Sequence, residues 1–405
     1  MRIIAISQVY WPDTVSVSQH LTDLLEYLAV RGHKVTIYTS KNDYENPKIH
    51  FKNEEIHNGV IIKRFGNTSF GKAKKVGRVI DFLSFNFILG LNLVKIKRKS
   101  YDLMIGVTVP PLLSYIGIKL AILKKIKFLY WTMDLQPELS IISGYLSPTS
   151  KAARSLQKKG DFIFKKSDII ITLDKYMGKH IYNRIGNREK IFSVSVWPVM
   201  NTVYDGSRLS NPFRIENKFG DRIVIMYSGN HSVVHPLDTL INIETSLKDD
   251  KRFLFVHIGS GVRLKDVIEN KKKYDLDNVV ILPYQPRENI HLSLGSSDIQ
   301  VVVLGDNCVG YTHPNKIYGA MFIGKPILYI GPKSSHVTDV LDSTKGNIIA
   351  NHGEVKQIIS KLESFALLSP KEKEKIGEQN AKIAKNEFTP EKLINSMAQL
   401  IEKHV

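Results

Sequence analysis

The feature that most constrains this chain is an alternation, repeated twice, of short apolar or β-branched runs with segments of helical period. Residues 2–7 read as a strand, and 18–30 carry Leu21, Leu24, Leu25 and Leu28 at helical spacing. Gly32 stands where such a helix would stop, and 35–38 is strand-like again. Further strand-like runs follow at 103–107, 128–131, 169–172 and 192–196; a second series starts at 223–227 and continues through 253–258, 279–282, 299–304 and 326–330. Strand–helix–strand units of this kind wind into parallel sheets covered by helices on both faces. The expected fold class is α/β, with two Rossmann-like, doubly wound domains facing one another across a cleft. In such sheets a ligand sits at the C-terminal ends of the strands.

The chain is too long, at 405 residues, for one ordinary core, and 43% hydrophobic residues suffice to fill two. Residues 201–219 are polar and aperiodic, with Gly206 and Pro212 among several Asn and Ser. The expected division is therefore an N-terminal domain over 1–200, a linker over 201–220, a second domain over 221–388 and a terminal helix over 389–405. The single cysteine, Cys308, rules out an intrachain disulfide or a four-thiolate metal site and suits a reducing compartment. The first residues read as a strand rather than a signal peptide, so a cytoplasmic location is expected.

A formal net charge of +18 calls for an anionic partner, which charge alone does not name. The basic residues are spread along the chain and no nucleic-acid motif interleaves them with stacking aromatics, so a nucleic-acid partner is not expected. P-loop, GxSxG, HExxH and EF-hand patterns are absent, and no metal-site spacing stands out.

Several strand-end segments carry candidate chemistry. His313-Pro314-Asn315-Lys316 opens a short apolar segment ending at Gly324-Lys325-Pro326, which predicts a helix over about 314–323 with Pro314 in its first turn. His313 and Lys316 could meet a phosphate there; an ordinary capped helix with exposed Lys and His explains the pattern equally. Gly229-Asn230-His231 follows the first strand of the second series, and Gly259, Gly261 and Arg263 follow the next. The bland reading of the first is a tight turn. Tyr284 and Gln285 lie in a loop between Pro283 and Pro286, suited either to reading a nucleobase edge or to a rigid connection. In the first domain Asp134 and Glu138 stand four residues apart after a strand, for acceptor or proton-transfer work or as a helix cap with a solvated neighbour.

Taken together, these segments resemble the GT4 family of GT-B glycosyltransferases, in the branch that builds bacterial polysaccharides and glycoconjugates. The resemblance rests on Gln8-Val9-Tyr10-Trp11-Pro12, on Arg31-Gly32-His33-Lys34-Val35-Thr36, on Tyr227-Ser228-Gly229-Asn230, on 282–288, and on the segment from Pro314 to Pro326, in the same order along nearly the whole chain. It departs from the family where two glutamates eight positions apart would stand; Tyr311 and Gly319 occupy those places, and the family's first glycine pair is replaced around Val15 and Ser16. A branch with an HPxK segment is the nearer match, with His313 and Lys316 in the grip on the donor.

The resemblance implies transfer of a hexosyl or N-acetylhexosaminyl group from a nucleotide diphosphate sugar to a glycan or lipid-linked acceptor, with retained configuration, no metal and no other cofactor. It puts Asp134, Lys316 and His313 at the catalytic centre. Gly229, Asn230, His231, Gly259, Gly261, Arg263, Tyr284, Gln285, Pro314, Asn315 and Tyr318 would hold the donor, and Ser16 and Glu138 would serve the acceptor side. It also sends the terminal helix back onto the first domain. A catalytically silent relative serving as an assembly subunit, motivated by the missing glutamates, and a nucleotide-sugar epimerase are the competing functions.

One further stretch points to a membrane surface. Lys72, Lys74, Lys75 and Arg78 precede the apolar segment 79–94, and Lys95, Lys97, Arg98 and Lys99 follow it, with Lys119, Lys124, Lys125 and Lys127 further on. The segment is interrupted by Asp81, Asn86 and Asn92, so surface docking on the inner face of the cytoplasmic membrane is expected rather than a span. A buried core helix with basic ends is the alternative.

Overall fold

The computed structural model describes residues 1–405 except Glu45, Pro47, 71–74, Pro111 and Asn201, with the side chains of Lys75, Val76 and Arg78 also left undescribed. Lys72 and Lys74, and the side chains of Lys75 and Arg78, which the sequence places at the start of a basic bracket, thus lie outside the described residues.

The chain divides into two compact units, Met1–Val196 with Glu391–Val405, and Trp197–Pro390. The first runs β1 (Arg2–Ile6), α1 (Ser16–Val30), β2 (Lys34–Ser40), β3 (Glu54–His57), β4 (Val60–Phe65), α2 (Lys75–Val94), β5 (Leu103–Val107), α3 (Leu113–Lys124), β6 (Lys127–Thr132), α4 (Glu138–Ile142), α5 (Lys151–Lys166), β7 (Ile169–Thr172), α6 (Lys175–Ile185) and β8 (Ile191–Ser193). Its sheet order is β3-β4-β2-β1-β5-β6-β7-β8. All strand pairs are parallel except β3 with β4. Ile3, Ile4, Ala5 and Ile6 of β1 are all fully buried, as a strand covered on both faces requires.

The antiparallel hairpin β3–β4 is an addition to the parallel sheet expected from the sequence. Its two-residue turn is Asn58-Gly59, both at positive φ (45° and 81°), where the chain must reverse with the twist of the flanking strands. The Asn-Gly pair was a legible signal for it.

The second unit runs α7 (Pro212–Glu216), β9 (Ile223–Ser228), α8 (Asp238–Ser246), β10 (Phe253–Ile258), α9 (Leu264–Tyr274), β11 (Val279–Leu282), α10 (Ile290–Gly295), β12 (Ile299–Val303), α11 (Lys316–Phe322), β13 (Ile327–Ile330), α12 (His336–Leu341), β14 (Ile348–Ala350), α13 (Val355–Leu367) and α14 (Pro370–Glu387). Its six strands are parallel in the order β11-β10-β9-β12-β13-β14. Strand β14 adds an edge that the sequence pattern did not single out. Ile225, Phe255 and Val301 pack with Leu240 and Ile358 on one face of this sheet, while Val224, Leu254 and Val256 meet Phe213 and Phe219 on the other.

That second cluster corrects the expected linker over 201–220. Asn211 caps α7, Phe213 and Phe219 are buried, and the Arg214 guanidinium binds the carbonyls of Gly220 and Ser296 and the carboxylate of Asp298. Most of the stretch is exposed, but Asn211 and Arg214 turn inward to bond to backbone and so fix it to the second unit.

The terminal helix α15 (Pro390–His404) has its length from Glu391 onward in the first unit, with Ile394, Met397, Ala398 and Ile401 buried. Arg31 at the end of α1 grips Glu402 with two nitrogens at 2.8 and 2.7 Å, and the His33 ring lies 2.9 Å from the same carboxylate. Tyr27 adds a bond to Asn395. Among the described residues no helix is long and apolar enough to cross a membrane.

Candidate functional site

In the second unit the order of strands reverses at β9, whose neighbours are β10 and β12. Loops leaving the C-terminal ends of β9 and β12 diverge at such a point and open a crevice for a ligand. The sequence puts Gly229-Asn230-His231 in the first loop and the approach to Lys316 in the second.

The β9 loop is tied to the β10 loop by backbone bonds. Gly229 N–H donates to the Ile258 carbonyl at 2.8 Å, His231 N–H to Ser260 at 2.8 Å, and Arg263 N–H to His231 at 2.9 Å. Gly259, at φ 126°, is forced to be glycine, because a Cβ there would stand 2.2 Å from the Gly229 carbonyl oxygen. Gly261 is under the same constraint against the His231 carbonyl, at 2.4 Å. These glycines therefore let two loops pack backbone to backbone. The amide groups of Gly229 and His231 are spent within the protein and are not donors for a ligand.

Lys316 projects into this region from the first residue of α11. Its ammonium nitrogen is 3.5 Å from the centre of the Tyr227 ring, is shut off from solvent, and has no hydrogen-bond partner among the described residues. A Cβ at Gly229 would lie 3.5 Å from it, so the glycine keeps the space before the ammonium clear of a side chain. Burial drops the Lys316 pKa to about 7. An uncompensated buried cation is costly, and the electron-rich face of Tyr227 offsets only part of that cost.

Behind this cation lies a buried relay that the sequence reading did not find. Glu244 of α8 holds His257 of β10 at 2.6 Å, and His257 in turn lies 3.2 Å from Nε2 of His231. All three side chains are buried, leaving Nδ1 of His231 without a partner. Burial, with His257 and then Lys316 adding to it, lowers the His231 pKa to about 3, so the ring is neutral near pH 7. His231 is thus a neutral polar group rather than a second cation. His257 sits in an unbroken apolar strand, and that lone polar residue was the only sequence trace of the relay.

The helix expected over 314–323 begins two residues late. Asn315 is its N-cap, Pro314 precedes the cap, and α11 has only seven residues. Asn315 N–H donates to the His313 carbonyl at 2.9 Å, a tight turn that delays the helix. His313 is buried, with Nε2 2.7 Å from the Tyr318 hydroxyl and its ring stacked on His336 at 3.6 Å. His313 and Tyr318 thus engage one another.

The other donor-side residues separate into two groups. Asn230 accepts a bond from the Tyr227 hydroxyl on its carbonyl at 2.8 Å, and the exposed Tyr284 ring borders Gly259. Arg263, in contrast, is drawn away to Asp238, whose two oxygens are 2.9 and 2.8 Å from one guanidinium nitrogen. Gln285 donates to the carbonyl of Pro283, two residues back.

In the first unit Asp134 is half-buried after β6, while Glu138 opens α4 and binds Arg184 at 3.0 Å. Asp161 shares that arginine at 2.8 Å. The Glu138 carboxylate is therefore committed to an internal ion pair. Ser16 starts α1, with its hydroxyl 3.3 Å from the His20 ring.

No family model matches the chain. It is 23% identical over 262 residues to a probable glycosyltransferase, WbjE, of Pseudomonas aeruginosa, a match covering 64% of each chain. Among solved structures it is similar to Anabaena HepE in complex with UDP and glucose (TM-score 0.74, 13% identity, all of both chains). It is similar also to sucrose-phosphate synthase of Thermosynechococcus elongatus (TM-score 0.76, 14% identity, 100% of this chain and 98% of that one). A third is WaaG, a glycosyltransferase involved in lipopolysaccharide biosynthesis (TM-score 0.69, 14% identity, 98% and 99%). With two parallel-sheet, Rossmann-like units, the chain has the α/β fold of these GT-B glycosyltransferases.

Proposed function

We propose that the protein is a glycosyltransferase that takes a sugar from a nucleotide diphosphate sugar bound by the second unit. The observation that carries this reading is the buried, unpartnered Lys316 ammonium beside the glycine loops where the strand order of that sheet reverses. An anion is what such a group lacks, and a diphosphate is the anion whose charge grows as a glycosidic bond to it breaks. A fixed cation in a dry site stabilises that growing charge more than it stabilises the bound donor, which is the condition for catalysis. The name of the Pseudomonas relative and the UDP and glucose of the HepE complex support the same reading.

In this proposal the transfer retains configuration, uses no metal or other cofactor, and belongs to a GT4-type enzyme of cell-surface polysaccharide or glycoconjugate synthesis. Asp134 serves the acceptor, a glycan or lipid-linked sugar presented at an anionic membrane surface. His313 acts through Tyr318 rather than on the diphosphate.

The test is thermal stabilisation of the pure protein by UDP, GDP, CMP and dTDP, followed by product detection with the matching sugars, with and without a chelator. One nucleotide should stabilise and its sugar should be transferred with or without the chelator. No stabilisation by any of the four would sink the donor site; stabilisation without transfer would favour the silent relative.

A further inference from the structure

One cavity of the first unit is used by no part of the reading above. It is a groove of about 710 Å³ between α2 and the sheet face of β2 and β4. Among the described residues six cations line it, Arg2, Lys34, Lys63, Arg64, Lys95 and Lys97, against one carboxylate, Glu54. Arg2, Lys63 and Arg64 are paired with Asp102, Glu54 and Glu55. Among the described residues Lys34, Lys95 and Lys97 form no ion pair, and they leave the groove with excess positive charge.

Helix α2 presents three different faces around its axis. Phe85, Leu89 and Leu93 are buried, while Ile80, Leu83, Phe87, Leu91 and Val94 are exposed, Phe87 by 66%. These exposed residues recur at steps of three and four and so form one stripe along the helix. Ile88, Asn92 and Lys95 line the groove and, at 3.6 residues per turn, fall between that stripe and the buried face. The end of α3 extends the apolar surface, because Lys124 Nζ binds the Val94 carbonyl at 2.8 Å and brings the exposed Ile122 and Leu123 beside it. Exposed Lys95, Lys97, Arg98, Lys99 and Lys125 surround the junction.

A solvent-facing apolar stripe on a 20-residue helix, with a cationic groove along its flank, matches an anionic amphiphile in both of its parts. We propose that the groove takes the phosphate headgroup of an anionic phospholipid while the stripe enters the headgroup layer of the same membrane face. This rests on the membrane part of the reading above and gives it a specific site. A nucleic acid would meet the cations but leave the stripe in water, and a purely apolar partner would leave the groove unfilled.

The experiment is cosedimentation of the full chain, without nucleotide, with vesicles of phosphatidylglycerol and phosphatidylcholine in equal parts or of phosphatidylcholine alone. The mixed vesicles should bind at least tenfold better. Replacing Lys34, Lys95 and Lys97 together by Ala should abolish that preference. Replacing the exposed Lys265, Lys272 and Lys273 of the second unit should not. Phe87→Ser with Leu91→Ser should weaken binding to the mixed vesicles, while circular dichroism confirms the fold. Equal losses from the two lysine triples would reduce the groove to part of a diffuse charge and overturn the proposal. So would equal binding to both vesicles, or a concentration-dependent dimer that the Phe87 and Leu91 changes dissolve. Absence of all vesicle binding would remove the membrane part of the functional reading as well. Vesicle binding by a protein that no nucleotide stabilises would leave this site standing and sink the donor reading instead.

Discussion

The Lys316 ammonium sits 3.5 Å from the centre of the Tyr227 ring and has no carboxylate partner among the described residues. The two residues are far apart in sequence: Tyr227 lies near the C-terminal end of β9, and Lys316 opens α11, the helix that follows the neighbouring strand β12 at the reversal of the sheet.

Lys316→Ala should lower donor-dependent turnover by about tenfold or more, since a charge-assisted bond to phosphate contributes about 1.5–3 kcal/mol. Steady-state kinetics on the folded variant checks this. Unchanged rates would take Lys316 out of the donor site.

The same buried charge makes both nucleotide affinity and stability depend on pH. The free protein holds Lys316 near a pKa of about 7, and a bound diphosphate would raise it. Binding above pH 7 then takes up a proton, so affinity should fall by about tenfold per pH unit there until the bound-state value is reached. Stability runs the other way. Unfolding returns the lysine toward 10.5, so its burial is most destabilising below about pH 7 and the penalty fades as pH rises from 7 to 10.5. Lys316→Met should therefore melt higher than the wild type at pH 6.5, with the advantage shrinking by pH 9. Calorimetric titration and melting curves across that range measure both effects.

Gly259→Ala should destabilise by about 1–3 kcal/mol and cost nucleotide binding, because the added methyl would overlap the Gly229 carbonyl at a backbone angle that alanine resists. Gly353, also at positive φ but with open space around it, is the control and should lose stability alone. Urea unfolding paired with nucleotide titration separates the two.

Glu244→Leu leaves a buried His257 donor unmatched and should cost about 1–3 kcal/mol. Glu244→Gln keeps an acceptor in place and should cost clearly less. Equal losses in urea melts would mean that the relay is packing rather than hydrogen bonding.

Asp134→Asn should depress transfer while leaving nucleotide affinity nearly intact, given that the proposed donor site lies wholly in the other unit. Parallel loss of both in binding and rate measurements would contradict that division of labour.

How much of this was legible beforehand depended on whether a signal was local. Fully buried strands such as β5 and β13 announce themselves as unbroken apolar runs, and Asn58-Gly59 announces a hairpin that the strand periodicity alone does not. The stretch 201–220 misled because polar residues that bond to backbone, such as Asn211 and Arg214, look the same in sequence as polar residues in water.

The sequence by itself determined the two-sheet α/β architecture and the loops that end its strands, because periodicity and glycine placement act over a few residues. Only the tertiary structure decided which side chains are free to act. His313, Arg263 and Glu138 were candidates with Lys316, yet three are engaged with Tyr318, Asp238 and Arg184, and Lys316 is left unpartnered. Partners that cancel or expose a charge come from elements distant in the chain, so their effect on a side chain's energy has no signature in its own segment.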